Sequence, residues 1–354
     1  MKNFSKGGSE YISSLISEGI KNQTRCATVT GCYEIDKPIR IPSDFTLILD
    51  NCHLRLADGS FTNIFINEHL GTEIGKTLDG RDKNIKIIGR GEAILDGGNY
   101  NGLSEKTQNK DGFPPIWNNN MILFSNVENF EIRRIRACEQ RWWAFCFIFS
   151  SHGRISDVEF CSNDMGIDED GNPYHGLKRS KYKEAIVKNS DGIDLRVGCH
   201  DIVIENISGF TEDDTVALTA LTGALEKTFW VDGLPTDIYS VEIRNVSSSA
   251  YCSNVRLLNQ GEHKLHDIYI EGVFDTSKDS PHMDRGACGV RIGDASHMYG
   301  TRPSTADETY NITVRDLRTR ALRAMAIHGA MTNVVIEKVE IFDGGGAIED
   351  LRSN

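Results

Sequence analysis

The chain has 354 residues, 39% hydrophobic and 8% aromatic, enough for a large core and more than one compact domain usually holds. Lys and Arg number 39 against 51 Asp and Glu, a formal net charge of −12, which argues against nucleic acid and anionic membrane as main partners. No apolar run reaches the ~18 residues of a membrane span, and the nine dispersed cysteines lack metal-ligand spacing.

The N-terminus, Met1 to Gly8, has no signal-peptide apolar core, so the cysteines read as reduced thiols and the location as cytoplasmic. Residues 9–20 set Tyr11, Ile12, Leu15, Ile16 and Ile20 on one face at helical spacing, predicting a short amphipathic helix. Short apolar runs follow at Thr46–Leu49, Ile64–Ile66 and Ile85–Ile88, the last leading into Gly89-Arg-Gly-Glu-Ala-Ile-Leu-Asp96-Gly97. From there one pattern repeats: an aliphatic residue, two residues that are mostly polar, charged or Gly, and another aliphatic. It recurs seven times, as Ile132/Ile135, Ile155/Val158, Ile204/Ile207, Ile243/Val246, Ile270/Val273, Val314/Leu317 and Ile336/Val339. The first two copies are 23 residues apart and the last two 22. A further apolar run precedes each copy, among them Ile122–Phe124, Phe145–Ile148, Gly192–Leu195, Thr215–Leu218, Asn254–Leu257, Gly289–Ile292 and Met325–Ile327.

Short strands at this period, with no helical pattern between them, predict a solenoid of stacked coils whose aliphatic columns fill the bore. The Leu-x-x-Leu-x-Leu signature of the competing leucine-rich repeat is not what recurs. The expected fold is all-β: a right-handed, single-stranded parallel β-helix, one domain over 1–354 with coils from 30 to 345 and the N-terminal helix as its cap. Polar, Gly-rich insertions fall near 161–188, 222–238, 275–287 and 294–309, where they would wall in a groove. Phe342 to Gly346 is a poor cover for the far end, which leaves room for a partner subunit.

Two acidic turns carry the chemistry. Asn189-Ser190-Asp191 runs into Gly192-Ile193-Asp194-Leu195, and Glu212-Asp213-Asp214 runs into Thr215-Val216-Ala217-Leu218. Aligning these strands puts Asp191 and Asp214 at one place. Stacked coils ~4.8 Å apart would crowd Asp191, Asp213 and Asp214 together, raising one another's pKa. A site gains both a proton donor and a base near neutral pH in this way. The same alignment puts Asp194, Ala217, Arg256 and Arg291 in one outward column, with Arg196 two positions beyond Asp194 and Asp194 as a support. Of Trp142 and Trp143, one would face the bore and the other could present its ring for stacking on a ligand. The Asp168–Asn172 run lacks the closing Glu of a calcium loop, so no metal is expected. His263, His266 and His328 read as surface histidines, and Arg133, Arg134 and Arg136 as a solvated corner.

The phrase from Gly89 to Gly97 resembles the Gly-x-Gly-x-Ile-Asp-Gly turn of the polygalacturonase-like family 28 glycoside hydrolases. Asn189-Ser190-Asp191 resembles their Asn-Thr-Asp motif, Asp213-Asp214 their Gly-Asp-Asp, and Gly289 to Ile292 their Arg-Ile-Lys, in the same chain order. The resemblance implies a right-handed β-helix that hydrolyses galacturonide or rhamnogalacturonan bonds with inversion and no cofactor. It implies Asp213 as the acid, Asp191 and Asp214 as the groups holding the water, and Asn189 and Arg291 at the sugar. The family's Gly-His-Gly is replaced by Cys252-Ser253-Asn254, and its lysine by Gly293. Either the anion-binding charge is rebuilt from Arg196 and Arg256, or the sugar is neutral. The expected partner is thus an oligosaccharide. Two other classes share the scaffold: a lyase or sugar transferase with an Arg or Lys base, and a non-catalytic carbohydrate-binding β-helix.

Overall fold

The computed structural model describes residues 3–98, 118, 120–140, 143–162, 191–294, 299–300 and 302–353. A helix, α1 (Gly8–Lys21), precedes strands β1 (Cys26–Ile35), β2 (Ile39–Ile41), β3 (Phe45–Leu56), β4 (Phe65–Asn67), β5 (Asp82–Asp96), β6 (Ile122–Ser125), β7 (Val127–Cys138), β8 (Trp143–Ile148), β9 (Ser151–Cys161) and β10 (Asp191–Leu195). The chain continues through β11 (His200–Thr211), β12 (Val216–Ala220), β13 (Ile238–Ala250), β14 (Ser253–Asn259), β15 (Leu265–Asp275), β16 (Cys288–Ile292), β17 (Thr309–Thr319), β18 (Arg323–Ala330), β19 (Thr332–Ile341) and β20 (Ile348–Ser353). The odd-numbered long strands form one parallel ten-stranded sheet and the even-numbered short strands the other. Each coil contributes one strand to each sheet, the arrangement of a right-handed parallel β-helix.

The aliphatic pairs three residues apart have a backbone cause. Strand side chains alternate with period two, so a spacing of three needs a break between inward positions. That break is one residue with positive φ: Arg134 (58°), Asp157 (56°), Asn206 (56°), Asn245 (55°), Gly272 (75°), Asp316 (58°) and Lys338 (53°). The left-handed conformation folds each long strand at a corner, and Asn, Asp and Gly tolerate it best. Along this corner the side chains bond from coil to coil: Asn206 Nδ2 donates to Asp157 Oδ1 at 3.0 Å, and Asn245 Nδ2 to Asn206 Oδ1 at 3.2 Å.

Between corners the bore fills with stacked aliphatics. Ile132, Ile155, Ile204, Ile243, Ile270, Val314 and Ile336 pair in register down one column, and all but the last, on the end coil, are fully buried. Full burial of such side chains contributes roughly 1.5–3 kcal/mol each. Ile12 and Ile16 of α1 close the N-terminal end of this core, as the amphipathic pattern predicts. The last coil exposes Val335, Ile341, Ile348 and Leu351.

One expectation needs correcting. The insertion at 222–238 contains a short helix, α2 (Ala224–Thr228), where no helix was expected. It lies outside the stack, because β12 and β14 on either side of it still pair directly. The insertion at 275–287 buries Met283 against Phe210 and Tyr251. Among the described residues, no helix is long and apolar enough to cross a membrane.

Candidate active site

The register of β10, β12, β14 and β16 builds the site. Asp194 pairs with Ala217, Ala217 with Arg256, and Arg256 with Arg291, the outward column read from the sequence. The same 23-residue offset sets Asp191 beside Asp214, and the Asp214 N–H donates to Asp191 Oδ1 at 3.0 Å. Gly192 makes that approach: a Cβ there would sit 2.4 Å from the Thr215 carbonyl oxygen and 2.8 Å from the Phe160 ring. One carboxylate oxygen each from Asp191, Asp213 and Asp214 lies within 4.8 Å of the other two.

These groups line a cavity of about 540 Å³, within the usual range for ligand sites. Its floor is the outward face of the short-strand sheet, including Ala217 and Leu258. The insertion at 222–238 supplies one wall through Gly223, Leu225 and Glu226, and Tyr299 from the insertion at 294–309 supplies another. Asp191, Asp194 and Asp214 are buried, whereas Asp213 is half-buried. Burial, reinforced by Asp194, Asp213 and Asp214, pushes the Asp191 carboxyl well above the usual range. Burial pushes Asp194 up to about 7 against the pull of Arg196. Asp214 is also raised by burial, opposed by Arg256 and by a hydrogen bond from Ser253. Burial thus favours the protonated form of Asp191, Asp194 and Asp214, and a protonated carboxyl is the state that general acid catalysis needs.

The arginines are not free cations. Arg196 Nη2 donates to Asp194 Oδ1 at 2.9 Å, and its Nη1 lies 3.8 Å from Glu226 Oε1. Arg256 Nη2 donates to Asp294 Oδ2 at 2.8 Å, with Nη1 3.9 Å from Asp214 Oδ2. Arg291, a third exposed, donates to the other oxygen of Asp294. Burial disfavours the Arg256 charge, but Asp214 and Asp294 outweigh it and raise its pKa. Of the two alternatives read from the sequence, a rebuilt anion site would thus draw on arginines that already have carboxylate partners. Trp143 lines the cavity, but one face of its ring carries the Arg196 guanidinium, 3.7 Å from the centroid, so that face is closed to a sugar.

Asp294 and Glu226 are the residues that sequence reasoning missed. Asp294 follows Gly293, whose φ of 67° turns the chain so that the carboxylate reaches back to Arg291, three residues earlier. Arg291 followed three residues later by an acid, across a glycine, was the available signal. Glu226 sits on α2, where its Oε2 accepts the Gly223 N–H at 2.8 Å. None of His263, His266 and His328 lines the cavity. Asn189, Trp142 and the run Asp168–Asn172 lie outside the described residues.

The Asp191, Asp213 and Asp214 oxygens are close enough to share a hard cation. A second compact set, Glu68, His69 and Asp82, has another use. Buried Asp82 accepts bonds from Ser43, Asn67 and the His69 backbone, and so acts as a packing hub.

No protein-family model matches the chain, and no curated protein matches it in sequence. Solved structures do. The iota-carrageenase from A. fortis gives a TM-score of 0.61 at 11% identity, over 99% of this chain and 88% of that one. The exopolygalacturonase from Thermotoga maritima gives 0.56 at 13%, over 98% of this chain and 88% of that one. The polygalacturonase from Erwinia carotovora ssp. carotovora gives 0.54 at 13%, over 100% of this chain and 96% of that one. At such identities the likeness is one of fold, and the fold is the right-handed parallel β-helix that these glycoside hydrolases share.

Proposed function

We propose that the chain is a glycoside hydrolase that cleaves a glycosidic bond in an oligosaccharide. The observation that carries this reading is the meeting of Asp191, Asp213 and Asp214 within 4.8 Å on adjacent coils, at the base of a cavity of sugar-binding size. Asp213, the most accessible of the three, is the proton donor to the leaving oxygen. Asp191 and Asp214 hold and activate the attacking water, Asp214 beside Arg256 taking its proton while the protonated Asp191 keeps it in place. Arg256 and Arg291 hold the sugar. The walls from residues 222–238 and Tyr299 favour attack at a chain end over random cleavage within a polymer.

Inverting carboxylate pairs stand ~6.5–9.5 Å apart to admit water, and retaining pairs ~5–5.5 Å. The nearest oxygens here are closer than the inverting spacing. In the proposed mechanism the water therefore sits beside the triad, bound to Asp191 and Asp214, and the anomeric configuration inverts as the family resemblance implies. The Asp213→Asn variant keeps shape and loses the proton, so its rate should fall ~10²–10⁴-fold. Substrates with good leaving groups should lose less. Near-normal activity of that variant would remove Asp213 as the acid. Proton NMR of the first-formed product fixes the stereochemistry, and retention would make one of the carboxylates a nucleophile.

A further inference from the structure

We infer that the cavity accepts a glycosyl unit without an anionic substituent, and that Asp294 sets this preference. The inference rests on the hydrolase reading above. Its basis is the charge and hydrogen-bonding inventory of the cavity. Among the described residues, five acidic side chains line it, those of Asp191, Asp194, Asp213, Asp214 and Glu226, and the lining cations are Arg196, Arg256 and Arg291. Asp294 adds a sixth carboxylate directly behind the last two arginines. Each guanidinium is thus already matched: Arg196 by Asp194 at 2.9 Å, Arg256 by Asp294 at 2.8 Å, and Arg291 by the second Asp294 oxygen. Among the described residues, no lysine or histidine lines the cavity.

Among the described residues, a uronate or sulfate entering here would meet no lining cation that lacks a carboxylate partner. To find a cation it would have to displace Asp294 from two arginines at once, and Asp294 is also held by Gln260 Nε2 at 3.1 Å. A hydroxylated, uncharged ring makes no such demand: a hydroxyl can both donate and accept, so it can bond the lining arginines and carboxyls without displacing Asp294, whereas a carboxylate or sulfate only accepts and must compete with Asp294 for the same guanidinium N–H groups.

The test uses matched aryl glycosides that differ only at C6, a hydroxymethyl group in the hexoside and a carboxylate in the uronide, in the galacto, gluco and manno series. For whichever series is cleaved, kcat/KM for the neutral member should exceed that of the uronide by ~10²-fold or more. The Asp294→Asn variant frees positive charge on Arg256 and Arg291 and should narrow that ratio about tenfold or more by raising uronide turnover. Preference of the unsubstituted protein for the uronide would overturn the inference while leaving the hydrolase reading intact. So would a ratio unchanged in a folded Asp294→Asn protein. If the variant fails to fold, the ratio for the unsubstituted protein still decides. If no glycoside is cleaved, saturation-transfer NMR with the free hexoses and uronic acids decides instead. Binding of hexoses alone upholds the inference and removes the hydrolase reading; binding of uronates, or of no sugar, overturns it.

Discussion

Replacing Ile243 by Ala tests the strand phase on which every position in the site depends. Ile243 is fully buried in the bore and sits in register between Ile204 and Ile270, both also fully buried. The truncation removes three carbons at about 0.8 kcal/mol each, so about 2.4 kcal/mol of transfer free energy. A cavity penalty adds to this, and collapse is hindered because the β13 backbone is hydrogen-bonded to β11 on one side and β15 on the other. The expected loss is therefore in the upper part of the usual range, about 3–5 kcal/mol. The adjacent Arg244 points outward. It pairs with Glu242 at 3.0 Å and Glu271 at 2.9 Å and lies over the Tyr269 ring. Arg244→Ala should cost only about 1 kcal/mol. Urea unfolding of both variants, compared by midpoint and slope, measures the difference. Equal losses, or a larger loss for Arg244→Ala, would refute the assignment of inward and outward faces and with it the outward column of Asp194, Arg256 and Arg291.

The periodic parts of the molecule were legible because each coil repeats the same packing problem. The aliphatic pairs predicted the interior column, and the 23-residue offset predicted that Asp191 and Asp214 would be neighbours. Even the corner was written in the sequence: Asp157, Asn206, Asn245, Gly272 and Asp316 all hold the position before the second aliphatic, and all tolerate positive φ. Arg134 and Lys338 at the same position hid the rule. The parts that escaped are those the repeat does not govern. Asp294 and Glu226 lie in segments of irregular length, so no offset could align them with Arg256, Arg291 or Arg196. Arginines that along the chain offered a rebuilt anion-binding charge are, in three dimensions, held by those two segments and by Asp194.

Two further outcomes follow from the crowding around Asp191. Gly192→Ala should lower activity more than it lowers stability, because the added Cβ would meet the Thr215 carbonyl oxygen at 2.4 Å and displace the neighbouring aspartate; kcat and the melting temperature, measured together, test this. Asp191→Asn should abolish turnover yet stabilise the fold in a pH-dependent way. In the folded chain, burial and three neighbouring aspartates keep the Asp191 carboxyl protonated well above the usual range. Well below pH 4 the group is neutral in both folded and unfolded chains, and Asn is its neutral isostere, so the two proteins converge in stability as pH falls through the ordinary carboxylate range. As pH rises past the ordinary carboxylate range, the unfolded chain releases this proton and the folded chain keeps it. The unfolded state then binds fewer protons, so stability falls with rising pH, by about 1.4 kcal/mol for each unit over which the mismatch is complete. The decline ends where the folded carboxyl itself ionises. Asparagine removes this component and can still accept the Asp214 N–H through its amide oxygen. Calorimetric melting at pH 4, 5.5 and 7 should therefore show a gap in favour of Asp191→Asn that opens with pH. A gap of constant size, or a parent protein that is the more stable at pH 7, would mean that Asp191 is ionised in the folded chain and that the cluster stores no proton there.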